Sequence, residues 1–134
     1  MLNRRHVLAA TAGALAFSAY LGLGPLAHAA PQAYSQQAFT AAQAAGKPIL
    51  LHITAPWCPT CKAQKPILGK IEVEPKFKNL VVLDIDFDSQ KALLRQLRVV
   101  QQSTLIAYKG KTEVGRSVGD TNPASIAALV GKTL

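Results

Sequence analysis

The chain has 134 residues, 15 Lys and Arg against 7 Asp and Glu, a formal net charge of +8 and 2 cysteines. That length suits one domain, and two cysteines exclude a scaffold built on disulfides, which needs many more in so short a chain. Plentiful aliphatic residues exclude a disordered chain, and dispersed charge with few aromatics argues against a nucleic-acid module.

The charge is distributed unevenly. After Arg4 and Arg5 no charged residue occurs before Lys47. An apolar run from Val7 to Leu26, interrupted by glycines and Pro25, is followed by Ala27-His28-Ala29. A charged start, an apolar stretch and a small-x-small site together describe a secretory signal over residues 1–29. Its paired arginines are similar to a twin-arginine export signal, although Asn3 stands where Ser or Thr is usual. An uncleaved anchor is the competing reading, because Val7 to Leu26 is just long enough to span a bilayer. Pro25 and the glycines beside the cleavage site favour removal. The expected mature domain is therefore residues 30–134, exported to the periplasm, where disulfides persist.

In the mature chain, Ser35 is placed to cap a helix over Gln36–Ala45, with Gly46 as its terminator. Pro48–Thr54 (PILLHIT) reads as a buried strand. A helix is expected from about Pro59 to Lys70, kinked at Pro66. Leu80–Phe87 is a second buried strand. Asp88 or Ser89 is expected to cap a helix through Leu97 that turns Ala92, Leu93 and Leu97 inward. Thr104–Tyr108 and Thr112–Ser117 form a hairpin around Lys109-Gly110-Lys111. Asn122-Pro123 opens a last helix with Ile126, Leu129 and Val130 facing the core. Tyr34, Phe39, Phe77, Phe87 and Tyr108 read as core or partly core. The order α-β-α-β-α-β-β-α predicts an α/β fold, a mixed four-stranded sheet with helices on both faces.

The chemistry lies in Trp57-Cys58-Pro59-Thr60-Cys61-Lys62, between a buried strand and a helix. Unpaired N–H groups and the helix dipole favour an anion at that helix end, so they stabilise a Cys58 thiolate, the nucleophile of disulfide exchange. Cys61, one turn later, is placed to resolve the mixed disulfide. A purely structural disulfide would close too small a loop to constrain much chain entropy. A zinc site needs about four ligands, and His52 is the only histidine of the mature chain. No metal-binding residues are therefore expected. The run Asp84-Ile85-Asp86-Phe87-Asp88 invites a metal assignment, but a capped strand end accounts for Asp88 more simply. Lys62 reads as a solvated surface residue, and Trp57 as packing beside the cysteines and shaping access to them.

With these residues in view, the mature chain resembles the thioredoxin-like family over nearly its full length. The motif W-C-P-T-C-K, Pro66 five residues after the second cysteine, Asp86 and Asp88 at a strand end, Thr104–Gly110 and Gly119 all match the family's pattern. The resemblance implies the thioredoxin-like fold and a thiol–disulfide oxidoreductase using Cys58 and Cys61. It implies no cofactor beyond the Cys58–Cys61 disulfide. Protein thiol or disulfide substrates and a redox partner protein follow from it, with no nucleic acid, no membrane except during export, and a monomeric state. The rival is a thioredoxin-fold metal-binding or assembly module without turnover.

The chain departs from the family at three places. Ser103 stands where the family has a cis-proline that faces the cysteines, and a trans bond is expected, since a non-proline cis bond costs about 2.5–4 kcal/mol. Serine there is expected to loosen substrate docking and leave the cysteines more open to metals. His52 occupies the place of the family's buried acid, and Asp84 that of its lysine partner. The expectation is a buried His52–Asp84 pair beneath Cys61 that manages its proton, against the alternative of a packed core histidine. Pro59-Thr60 differs from both the Gly-Pro of thioredoxins and the Pro-His of strong oxidases. Cys58 is expected to be the exposed thiol and Cys61 the buried one.

Overall fold

The structure, a computed structural model, describes residues 31–134; the expected leader lies outside them. The elements are β1 (Gln32–Ala33), α1 (Gln36–Ala44), β2 (Pro48–Thr54), α2 (Pro59–Glu72), a 3₁₀ turn (Pro75–Phe77), β3 (Val81–Asp86), α3 (Lys91–Gln96), β4 (Thr104–Lys109), β5 (Thr112–Val118) and α4 (Pro123–Gly131). The sheet has five strands in the order β1-β3-β2-β4-β5 rather than the expected four. The extra strand is a two-residue edge element parallel to β3, pairing Gln32 with Leu83 and Ala33 with Asp84. Both its residues are exposed, so no apolar alternation marks it in the sequence.

β2 is central, parallel to β3 on one side and antiparallel to β4 on the other. It is hydrogen-bonded along both edges and covered on both faces, which is why it reads as a continuous apolar run. Its alternation sends Ile49, Leu51 and Ile53 into a core with Phe39, Leu83, Ile85, Leu94 and Ile106. Leu50 points the other way, to Leu68, Phe77, Val82, Leu105, Ile126 and Val130. By the same period of two, His52 lies on the Leu50 face, towards α2. Its partner across the parallel ladder is Asp84.

Helix ends follow their sequence signals. Ser35 accepts the Ala38 N–H, and Asn122 accepts those of Ala124 and Ser125. Gly46 and Gly110 take positive φ, at 64° and 57°. α2 continues through Pro66 to Glu72, leaving the Lys62 carbonyl without its intrahelical donor.

α3 departs from expectation. It starts at Lys91 after Gln90, with no side-chain cap, and ends at Gln96. The turn before it is organised one step earlier, because the Asp86 carboxylate accepts from the Asp88 N–H, the Ser89 N–H and the Ser89 hydroxyl. Neither Asp88 nor Ser89 is the cap. Leu94 is the helix's buried residue, while Ala92 is exposed.

Candidate active site

After β2 the chain turns at Ala55-Pro56-Trp57, and the Cys58 N–H bonds to the Ala55 carbonyl at 3.2 Å. Cys58 is the N-cap of α2, with extended backbone, and its Sγ accepts the Cys61 N–H at 3.0 Å. Pro59 follows at the head of the helix, where a missing N–H costs nothing and a fixed φ helps. Thr60 is half-buried and completes the first turn. Cys58 and Cys61 form a disulfide, their Cα atoms 5.3 Å apart. The Sγ of Cys61 lies 3.9 Å from the Ile53 carbonyl, at the end of β2. The backbone donor that caps the oxidised sulfur is the one placed to stabilise a thiolate after reduction.

The two sulfurs are not divided into one exposed and one buried. Cys58 is 1% exposed and Cys61 0%. Both pack with Ala55, with Phe87 against them. Cys58 is covered by these neighbours while its Sγ accepts the Cys61 N–H. Trp57 is 55% exposed, and its indole N–H donates to the Asp88 carboxylate at 2.8 Å. That bond, and not a helix cap, is the role of Asp88. Lys62 is exposed.

His52, Asp84 and Gln64 form a buried network on the α2 side of the sheet. His52 Nδ1 lies 3.0 Å from Asp84 Oδ1, and Nε2 lies 3.2 Å from Gln64 Oε1. His52 and Gln64 are fully buried, whereas the Asp84 side chain is 25% exposed. Gln64 Nε2 donates to the carbonyls of Ser103 (3.1 Å) and Asp120 (2.9 Å). The expected His52–Asp84 pair is therefore present, but the second ring nitrogen meets Gln64, one turn beyond Cys61. Sequence reading missed Gln64. The available signal was an amide on the inward stripe of α2, three residues after Cys61 and four before Leu68.

Ser103 has a positive φ of 57°, and no peptide bond among the described residues is cis. Its N–H donates to the Ile53 carbonyl at 2.8 Å, and its carbonyl accepts from Gly119 at 3.0 Å as well as from Gln64. Its hydroxyl turns to the Gln102 carbonyl at 2.6 Å. Ser103 is buried, and its main-chain N–H and carbonyl are both hydrogen-bonded. Among the described residues, no group of three or more His, Cys, Asp and Glu side chains is arranged to hold a metal ion.

A disulfide at the head of a helix, fed by a buried central strand, with a backbone donor on the first sulfur, defines a site for dithiol–disulfide exchange. The family model described as Thioredoxin matches residues 30–132. The thioredoxin of Chlamydia trachomatis serovar D is 34% identical over 101 residues, covering 75% of this chain and 96% of that protein. The thioredoxin of Mycolicibacterium smegmatis is 37% identical over 82 residues, 60% of this chain and 72% of its own. The crystal structure of Trxlp from Edwardsiella tarda EIB202 is similar at 45% identity, with a TM-score of 0.72, over 74% of this chain and 96% of that one. The chain belongs to the thioredoxin family. It is a thiol–disulfide oxidoreductase whose redox group is the Cys58–Cys61 pair.

Proposed function

We propose that this oxidoreductase acts in the periplasm after export, exchanging disulfides with protein substrates as a monomer and being recharged by a separate redox protein. The observation that carries the chemistry is the Cys58 Sγ at the α2 N-cap, accepting the Cys61 N–H. In the reduced protein, Cys58 thiolate attacks a substrate disulfide and expels one substrate sulfur as a thiol. The Cys61 thiol then gives up its proton and attacks Cys58 Sγ. This closes the protein disulfide and releases the second substrate sulfur, which takes up a proton. Two electrons pass from protein to substrate. One proton is supplied by Cys61 and the other by solvent, to which Cys58 released its own on forming the thiolate; the reverse sequence oxidises a substrate dithiol.

His52 and Asp84 act on the resolving step, in which Cys61 has a proton to lose. They do so through their charge rather than by direct contact, since both ring nitrogens are engaged by Asp84 and Gln64. Trp57, Pro59 and Thr60 shape the approach to Cys58, and Ser103 shapes the loop against which substrate docks. Export is supported by Arg4-Arg5, the apolar stretch and Ala27-His28-Ala29.

Redox titration against glutathione tests the activity, and its midpoint gives the direction of electron flow. A reversible two-electron couple is expected, whereas zinc or copper retained stoichiometrically through dialysis, with no such couple, would overturn the reading. Cys61→Ser should trap mixed disulfides with substrates, and Cys58→Ser should not. Fractionation should find the protein in the periplasm beginning near Ala30; a full-length cytoplasmic product would refute export.

A further inference from the structure

Gln64 is an amide buried at 0% exposure, among groups that leave it one orientation. Its Nε2 faces two carbonyl oxygens, Ser103 at 3.1 Å and Asp120 at 2.9 Å. Turning the amide over would set Oε1 against both, losing two buried hydrogen bonds and adding lone-pair repulsion. Oε1 therefore faces His52, and the ring must present Nε2–H to it across 3.2 Å.

Nδ1 is 3.0 Å from Asp84 Oδ1. With Nε2 protonated, a neutral ring has only a lone pair at Nδ1, and an ionised carboxylate offers only lone pairs in return. That contact requires a second proton, on the ring or on Asp84. The groups around it are few. Asp84 faces the ring from β3, where its neighbour Glu72 of α2 acts on it electrostatically. Leu105 of β4 sits across the ladder and carries no charge.

The other end of the amide reaches the docking loop. Ser103 sits in the left-handed region, which is unfavourable for a residue other than glycine. Three main-chain bonds oppose that cost, and the Gln64 bond is the one made by a side chain of the redox helix.

We propose that Gln64 is a positioning residue for disulfide exchange. It clamps the Ser103 loop to the redox helix and holds His52 in its Nε2–H form, so that the His52–Asp84 contact carries one shared proton. The proposal rests on the oxidoreductase reading above and adds a residue to it. Loop geometry and the protonation of the buried pair are coupled through one amide.

Ring-nitrogen NMR on the full wild-type protein reads the tautomer directly. The expected result is a protonated His52 Nε2 throughout pH 5–8, about the interval in which histidine titrates. Gln64→Met keeps the volume and removes all three bonds. In this variant the ring is expected to turn to Nδ1–H donating to ionised Asp84, leaving Nε2 bare at the upper end of that interval. Turnover of a protein disulfide by Gln64→Met should fall about tenfold, the loss expected when its two bonds to the Ser103 and Asp120 carbonyls are removed. It should fall by less with a small aromatic disulfide, which does not need the loop. Bare Nε2 in the wild type at the upper end of the interval would overturn the proposal, and that measurement needs no variant to fold. Unchanged tautomer and rates in Gln64→Met would overturn it too. Failure of the wild type to exchange even the small disulfide would instead refute the oxidoreductase reading, so the two failures are distinct.

Discussion

Asp84 shows how one side chain can be tested without dismantling its surroundings. The proton between it and His52 is demanded by geometry, because Gln64 takes the other ring proton. An asparagine at this position can supply an N–H to Nδ1 of a neutral ring, keeping every contact while removing the charge. Asp84→Asn should therefore keep stability within about 1 kcal/mol of wild type. Asp84→Ala leaves a buried ring nitrogen unpartnered and should cost about 1–3 kcal/mol. Urea denaturation of both variants checks the contrast; equal losses would mean that packing alone holds the ring. Stopped-flow resolution of a preformed mixed disulfide across pH 5–8 (about the histidine range) then separates kinetics from stability. Asp84→Asn should alter the pH profile of that step if the pair manages the Cys61 proton. Identical profiles would leave His52 a packed core residue.

At the scale of elements, the loop from α3 to β4 carries Ser103, at the place where the family resemblance implies a proline. Restoring a proline looks conservative in sequence but conflicts with this backbone. Proline requires φ near −65° and has no N–H, whereas Ser103 sits at +57° and donates to the Ile53 carbonyl at 2.8 Å. Ser103→Pro should therefore destabilise the protein by about 2–4 kcal/mol, combining the wrong φ with a lost buried bond. Thermal or urea unfolding measures it; unchanged or raised stability would mean that the loop accepts a second backbone path. The starts of α1 and α4 and the end of α1 were legible in sequence because each has a local cause. Ser35 and Asn122 are placed to accept the first N–H groups of α1 and α4, and Gly46 is free to enter the left-handed region after α1. The start of α3 was not legible, because Asp88 and Ser89 are both competent caps and neither is used. The Asp86 carboxylate takes the turn before the helix instead, while the Trp57 indole holds Asp88 from across the active site.

For the molecule as a whole, the carboxylates set opposite trends with pH. The Ser89 hydroxyl and N–H, followed by the Asp88 N–H and the Lys91 charge, hold the Asp86 carboxyl below its ordinary range. Its bonds with Arg116 do the same for Glu113. Both are stabilising above their unfolded values, about 3.9 and 4.3, and that contribution disappears as pH falls through the lower folded values. Burial, reinforced by Asp84, raises Glu72, which also has an unpartnered buried Oε1. Its contribution is fully present below about 4.3 and is lost as pH rises through the raised folded value. The melting temperature should therefore rise slightly as pH falls from neutral towards about 4.3 and fall at lower pH. Glu72→Gln should flatten the first part and keep the second. Circular dichroism melts across this interval check it; an unaltered rise in the variant would remove Glu72 from the account.

The sequence by itself determined what depends on neighbours along the chain. The Pro48–Thr54 strand, the helix opening at Pro59 and the C-x-x-C at its head all follow from local periodicity and helix-end chemistry. The His52–Asp84 pair was within reach only because a family pattern aligned two residues 32 apart. Tertiary structure alone decided the rest. β1 exists because the β3 edge offers it a partner, with no apolar pattern of its own. Cys58 is covered because Ala55, Cys61 and Phe87, from three different segments, pack around it. Gln64 acquired its role from two carbonyls 39 and 56 residues away. No spacing rule announces them, because a side-chain amide finds its partners by which surfaces pack together.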